Sequence, residues 1–255
     1  MVQNRIAIVT GVTRSKGIGK AICTELAKQG NDIFFTYFRD YDRTMPWGVD
    51  DNEPDLIQKE IASFGVKCVK IELDLSKTDS VEILFNQVEK LMGNPSILVN
   101  NAAYSTQTDI DSLTSDEMDN HYFVNQRGTI LLSLEFIRRF KLKKYGRIIN
   151  LTTGQSLGAM GKEIAYAVTK AAIESFTRMI QYEIGFKHIT INTVNPGITD
   201  TGWMDKETYN KYIHMCPKGR YGEPQDAANL IAFLASEKAD WISGQIIHSE
   251  GGFFR

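Results

Sequence analysis

The chain has 255 residues, 42% hydrophobic and 24% charged, and its 29 Lys plus Arg against 31 Asp plus Glu leave it near neutral. That balance offers nucleic acid no basic surface, no apolar run approaches the ~18 residues of a membrane span, and the length suits one large core. The three cysteines (Cys23, Cys68, Cys216) and four histidines (His121, His188, His214, His248) have neither disulfide nor metal-ligand spacing, so reduced thiols, no metal centre and a cytoplasmic location are expected.

The first strand is predicted over 5–10, where Ile6-Ala7-Ile8-Val9 is apolar on both faces, as in a parallel sheet covered by helices. It runs into Thr10-Gly11-Val12-Thr13-Arg14-Ser15-Lys16-Gly17-Ile18-Gly19 and a helix over 18–29. Glycines let backbone approach a pyrophosphate, and the helix start presents free N–H groups and a positive dipole end. A glycine-rich turn alone is as readily structural; its place after the first strand is what points to a nucleotide. Neither Gly-x-Gly-x-x-Gly nor Gly-x-x-x-x-Gly-Lys-Ser/Thr is present, and the second absence argues against a nucleotide triphosphatase.

The second strand, 32–37, leads into Thr36-Tyr37-Phe38-Arg39, with no carboxylate at the Tyr37 position to accept the ribose hydroxyls of NAD. Arg39, with Arg14 or Lys16, suits a 2′-phosphate instead, so NADP(H) is expected over NAD(H); solvated surface cations are the plain alternative. A long loop over 40–54 precedes a helix at 54–64, a strand at 66–73, a helix at 78–92 and a strand at 96–99. A helix over 115–142 follows, ending in Arg138-Arg139-Phe140-Lys141-Leu142-Lys143-Lys144. Cations there complement the helix dipole, and a second reading is a docking surface for an acidic carrier. Then come a strand at 146–151, a helix at 163–185, a strand at 190–194, a loop over 199–222, a helix at 224–236 and a strand at 244–248. This alternation predicts a single α/β domain over 1–255, doubly wound (Rossmann-type), with a mostly parallel seven-stranded sheet.

Tyr166 and Lys170 lie four apart in the 163–185 helix and therefore share a face. Hydride arriving at a carbonyl carbon leaves charge on oxygen, which a phenol can meet with a proton. Free Tyr titrates near ~10, and a cation close by is expected to bring it lower.

In order, the glycine loop, Asp74-Leu75, Asn100-Asn101-Ala102-Ala103, the Tyr166/Lys170 pair and Asn195-Pro196-Gly197-Ile198-Thr199 resemble the short-chain dehydrogenase/reductase family along nearly the whole chain. The resemblance implies that Gly11, Thr13, Arg14, Gly17, Ile18 and Gly19 take the cofactor phosphates and Asp74 and Leu75 the adenine. It gives Asn101 a part-structural, part-binding role and sets Pro196, Gly197 and Thr199 beside the nicotinamide. Thirteen residues before Tyr166, Thr153 stands where the family has serine, with Ser156 as the alternative hydroxyl; Asn125 matches a position that holds a water relaying protons to the lysine.

Three departures stand out: five residues rather than three separate Gly11 from Gly17, Ala103 replaces a glycine, and Thr153 replaces a serine. The family's enoyl-reductase branch shares a lengthened loop but spaces its Tyr and Lys by seven, where this chain has Glu163 and Ile173. The implied function is NADP(H)-dependent carbonyl reduction or alcohol oxidation on a small-molecule or carrier-bound substrate, most like 3-oxoacyl-[acyl-carrier-protein] reductases of fatty acid biosynthesis, in a homotetramer. Sugar, polyol and steroid-like dehydrogenases share these residues, and a catalytically silent nucleotide sensor is the alternative from another class. Trp203, Met204, Tyr209, Tyr212 and Met215 either line a substrate pocket or form the underside of a surface helix.

Overall fold

The computed structural model describes residues 5–142, 144–204 and 206–254. Seven strands, β1 (Ile6–Val9), β2 (Asp32–Tyr37), β3 (Cys68–Glu72), β4 (Ile97–Asn100), β5 (Gly146–Leu151), β6 (Ile189–Asn195) and β7 (Ile246–His248), form one sheet in the order β3-β2-β1-β4-β5-β6-β7. Every neighbouring pair is parallel. The expected doubly wound α/β domain is present.

Strand alternation sorts side chains into two cores. Ala7, Val9, Ile33 and Phe35 face one way, onto α1 (Ile18–Lys28), α3 (Glu53–Ala62) and α9 (Pro224–Ala235). Ile6, Ile8, Phe34 and Leu98 face the other way, onto α4 (Ser80–Leu91), α6 (Thr129–Arg139) and α7 (Ile164–Gly185). No described helix is long and apolar enough to cross a membrane. Cys23 and Cys68 are buried free thiols and Cys216 is partly exposed.

Two stretches differ from expectation. The 40–54 loop is entered through a short helix, α2 (Arg39–Arg43), and α3 takes Pro54 into its first turn, where the missing N–H costs nothing. The single helix expected over 115–142 is α5 (Ser115–His121), a π-helical turn (Tyr122–Gly128) and α6. A short helix α8 (Lys206–Tyr212) lies in the 199–222 loop, whose base is closed by pairing of Thr199 with Gly222.

A buried polar chain ties the layers together. Asn100 Nδ2 donates to Asn150 Oδ1 at 2.8 Å and to Ser133 Oγ at 3.0 Å; Asn150 Nδ2 donates to Thr177 Oγ1 at 3.2 Å, which meets Thr193 Oγ1 at 2.7 Å. β4, β5 and β6 are thus linked to α6 and α7, and Asn100 is structural. Asn150→Ala leaves buried donors and acceptors unpaired, at a cost of about 2–4 kcal/mol. The expected result is a lower urea midpoint with an unchanged denaturant slope.

Candidate functional site

The chain leaves β1 toward β2 and returns on β1's other side as β4, so the turns after β1 and β4 diverge and open a crevice at the sheet's C-terminal edge. A cavity of about 770 Å³ lies there. Of the residues expected to bind cofactor, Gly11, Thr13, Arg14, Gly17, Ile18 and Gly19 line it from the first loop. Asp74, Leu75, Asn101, Tyr166, Lys170 and Pro196 line it from the others.

The glycine loop fits its place closely. Gly11 has φ +73°, and a Cβ there would stand 2.6 Å from Ala102 Cα. A Cβ on Gly19 would stand 2.7 Å from both Asn101 Nδ2 and Gly11 O. Asn101 Nδ2 donates to Thr10 O at 2.8 Å and Gly11 O at 2.9 Å, while Thr10 Oγ1 accepts the N–H groups of Asn101 and Ala102, each at 3.1 Å. Asn101 therefore holds the loop in place and borders the cavity as well.

Lys170 is buried; its Nζ donates to Leu151 O at 2.9 Å and lies 5.6 Å from the centroid of the Tyr166 ring. The expected lowering of the phenol pKa is reversed. Burial pushes Tyr166 above its ordinary value, with Glu163 and Tyr41 adding to the effect, and burial brings Lys170 down to about 8. Desolvation penalises both charged forms and outweighs their mutual attraction at this separation. Tyr166 is thereby held in its neutral, protonated form.

Thr153 is half-buried at the end of β5, off the cavity lining, and its hydroxyl makes a 3.5 Å contact with Met160 Sδ. Ser156 is exposed. Asn125 is fully buried and also off the lining. Its Oδ1 accepts Tyr104 N–H at 2.8 Å, and its Nδ2 donates to Tyr104 O at 2.8 Å and Thr169 Oγ1 at 3.2 Å. Both amide protons are committed, and the side chain clamps the Tyr104 backbone.

Four other groups lie off the cavity. Arg39 lies off the cavity, bidentate on Glu72 and 3.2 Å from Asp51, so its guanidinium is neutralised away from the crevice. Gly197 and Thr199 do not line the cavity; Gly197 (φ +71°) backs onto Glu250, and the Thr199 hydroxyl donates to Pro196 O (3.2 Å) and Gly197 O (3.3 Å) of its own turn, while Thr201 borders the cavity instead. Trp203, Met204, Tyr209 and Met215 are also off the lining; the Trp203 indole donates to Thr199 O at 2.9 Å and Tyr209 packs on Tyr221. The Tyr212 side chain lies outside the described residues. The basic run spans the end of α6 and the turn before β5, at the sheet's N-terminal edge, about 20 Å of strand away from the cavity. Arg139 there is paired with Glu135 and Glu89, and Lys143 lies outside the described residues.

Sequence reasoning missed the aromatic wall. Tyr41 and Trp47 from the segment after β2, and Tyr104 after β4, all line the cavity. Tyr41, Tyr104, His121 and Tyr166 form a row with successive centroids 5.5, 4.9 and 6.4 Å apart. An unusually long loop at the binding edge was the available signal.

These features define an α/β protein with a dinucleotide crevice and a phenol–ammonium pair at its floor. Residues 11–254 match the family described as Enoyl-(Acyl carrier protein) reductase. "Uncharacterized oxidoreductase YjdA" of Bacillus subtilis is 46% identical over 255 residues, covering 99% of this chain and 98% of that one. The 3-oxoacyl-[acyl-carrier-protein] reductase FabG of Aquifex aeolicus is 30% identical over 256 residues, with 99% and 98% covered. A solved short-chain dehydrogenase/reductase from Serratia marcescens superimposes with TM-score 0.87 at 28% identity, covering 99% of this chain and 98% of its own. The chain belongs to the short-chain dehydrogenase/reductase family, oxidoreductases that use NAD(P)(H) on carbonyl and alcohol groups.

Gly11→Ala sets a Cβ at positive φ against backbone, and is expected to lower stability by about 1–3 kcal/mol. Dinucleotide affinity should fall with it, as read by calorimetric titration.

Proposed function

We propose that the chain is an NADP(H)-dependent carbonyl reductase, or alcohol dehydrogenase in reverse, with Tyr166 as proton donor and Lys170 as the ammonium behind it. The observation that carries this reading is that both line one cavity with a glycine loop too tight for any Cβ at Gly11 or Gly19. That cradle fits a pyrophosphate on the start of α1.

NADPH supplies the hydride when bound. Gly11, Thr13, Arg14, Gly17, Ile18 and Gly19 would hold its phosphates, Asp74 and Leu75 its adenine, and Asn101 and Pro196 the nicotinamide side, with Gly197 and Thr199 shaping the turn behind Pro196. With Arg39 neutralised by Glu72, Lys16 of the glycine loop is the remaining cation for a 2′-phosphate, and Arg14 is left to the pyrophosphate. NADPH is expected to bind at least about tenfold tighter than NADH, the worth of one charge-assisted hydrogen bond; equal affinities would remove the preference.

Tyr166 meets the developing alkoxide with its proton, and Lys170, which gives up a proton near pH 8, restores it. Thr153 would polarise the substrate carbonyl once Met160 yields its place. Asn125 acts one step back, holding the Tyr104 wall. The 30% identical FabG relative supports a 3-oxoacyl substrate. The basic run lends a carrier no support, because it lies at the opposite edge of the sheet. Exposed Met179, Tyr182 and Phe186 along the α7 end and exposed Trp241 support a homotetramer.

Tyr166→Phe is expected to cut NADPH oxidation with a carbonyl panel by about a thousandfold; an unchanged rate overturns the mechanism. Thr153→Ala should lose more turnover than Ser156→Ala, and the reverse result would transfer the role to Ser156. Lys170 carries its proton below about pH 8 and loses it above. The rate of reduction should therefore hold at lower pH and fall as pH rises through about 8, a limb that Lys170→Met removes.

A further inference from the structure

The lengthened glycine loop and the long segment after β2 meet across the mouth of the crevice. The Arg14 guanidinium lies 4.3 Å from the centroid of the Trp47 ring, and its Nε is 3.5 Å from Asp42 Oδ1. The Trp47 indole N–H donates to the same carboxylate oxygen at 2.7 Å. On its other side, Arg14 Nη1 donates to Thr201 O at 3.2 Å and Nη2 to Thr201 Oγ1 at 3.5 Å. Farther along, the Tyr41 hydroxyl donates to Ser105 O at 3.1 Å and accepts Ser105 N–H at 3.3 Å. Segment 39–48 is thus joined to the loops after β1, β4 and β6, which surround the crevice. Arg14, Tyr41, Asp42, Trp47, Ser105 and Thr201 all line the cavity.

Burial of Asp42 is unfavourable in itself and pushes its carboxyl pKa up. A surface loop needs no buried carboxylate. One that fixes a guanidinium does, because the stacked indole and the carboxylate together set its plane. The Thr201 contacts of Arg14 are long for hydrogen bonds and exchange readily for phosphate oxygens.

We propose that segment 39–48 is a roof over the bound dinucleotide, in which Asp42 and Trp47 position Arg14 across the pyrophosphate and Tyr41 fastens the far side. The inference rests on the dinucleotide reading above but not on the NADP preference, since both cofactors carry the pyrophosphate. A roof slows entry and exit alike, whereas a simple contact slows exit alone.

Stopped-flow mixing of the full chain with NADPH, followed by nicotinamide fluorescence, separates these cases. Trp47→Ala and Tyr41→Phe are each expected to raise both association and dissociation rates about tenfold, the worth of one such contact, with the Kd moving less than either rate. Asp42→Asn, which preserves side-chain volume, should act in the same direction and guards against a Trp47→Ala variant that folds poorly. Faster dissociation at an unchanged association rate overturns the roof, and so do unchanged rates in all three variants. If the wild type binds NADH and not NADPH, only the cofactor preference fails, and the same measurement with NADH decides the roof. If it binds neither, both readings fall.

Discussion

The turn after β1 can lie against the turn after β4 because Gly11 has no side chain where Ala102 approaches it. Any other residue would force those turns apart and carry the start of α1 away from the crevice. Thr10 and Asn101 then fasten the contact, one hydroxyl and one amide serving four backbone groups. The rest of the site inherits this geometry. Topology supplies the crevice at the β1/β4 boundary, and the glycine contact fixes its depth.

Burial also sets the electrostatics at the floor. Were the ammonium of Lys170 dominant, it would acidify Tyr166; desolvation instead favours the neutral form of each group. Half-buried Glu163, on the preceding turn, adds its charge in the same direction. The result suits a donor that must hold its proton until an alkoxide develops, backed by a lysine whose own proton is loosely held. A cation's benefit to the phenol then falls where it counts, on the phenolate formed after transfer rather than on the resting acid.

Most of the fold was legible because β1 and β4 are buried on both faces and read as short apolar runs, and β5 and β6, though they carry polar residues, alternate with clear helical stretches. The break of the 115–142 helix was not, since its apolar pattern continues across the π-helical turn. The Tyr166/Lys170 pair and the glycine loop were readable from spacing. Arg39 was misread because its partner is remote in sequence: parallel register sets Tyr37 beside Glu72, and only that pairing brings the carboxylate under Arg39. Asn125 looked like a polar residue stranded mid-helix, and nothing local reveals that Tyr104, twenty-one residues earlier, supplies both of its backbone partners. The aromatic wall escaped because Tyr41 and Trp47 sit in a segment without periodicity.

That wall changes which part of the chain shapes the carbonyl pocket. The base of the loop after β6 is pinned by the Thr199–Gly222 pairing, and Trp203 is spent on Thr199. The aromatic surface leading to Tyr166 instead begins at Tyr41, in the same segment that reaches Arg14 through Asp42 and Trp47. One stretch of backbone thus reaches both the glycine loop and the Tyr166 side of the cavity. Tyr41 reaches the row only when its hydroxyl is on Ser105, and Tyr104 stands there because Asn125 clamps it. With the segment lifted, the row loses its first ring and the pocket its outer wall. In its present position the segment completes that surface, with Tyr41 held on Ser105.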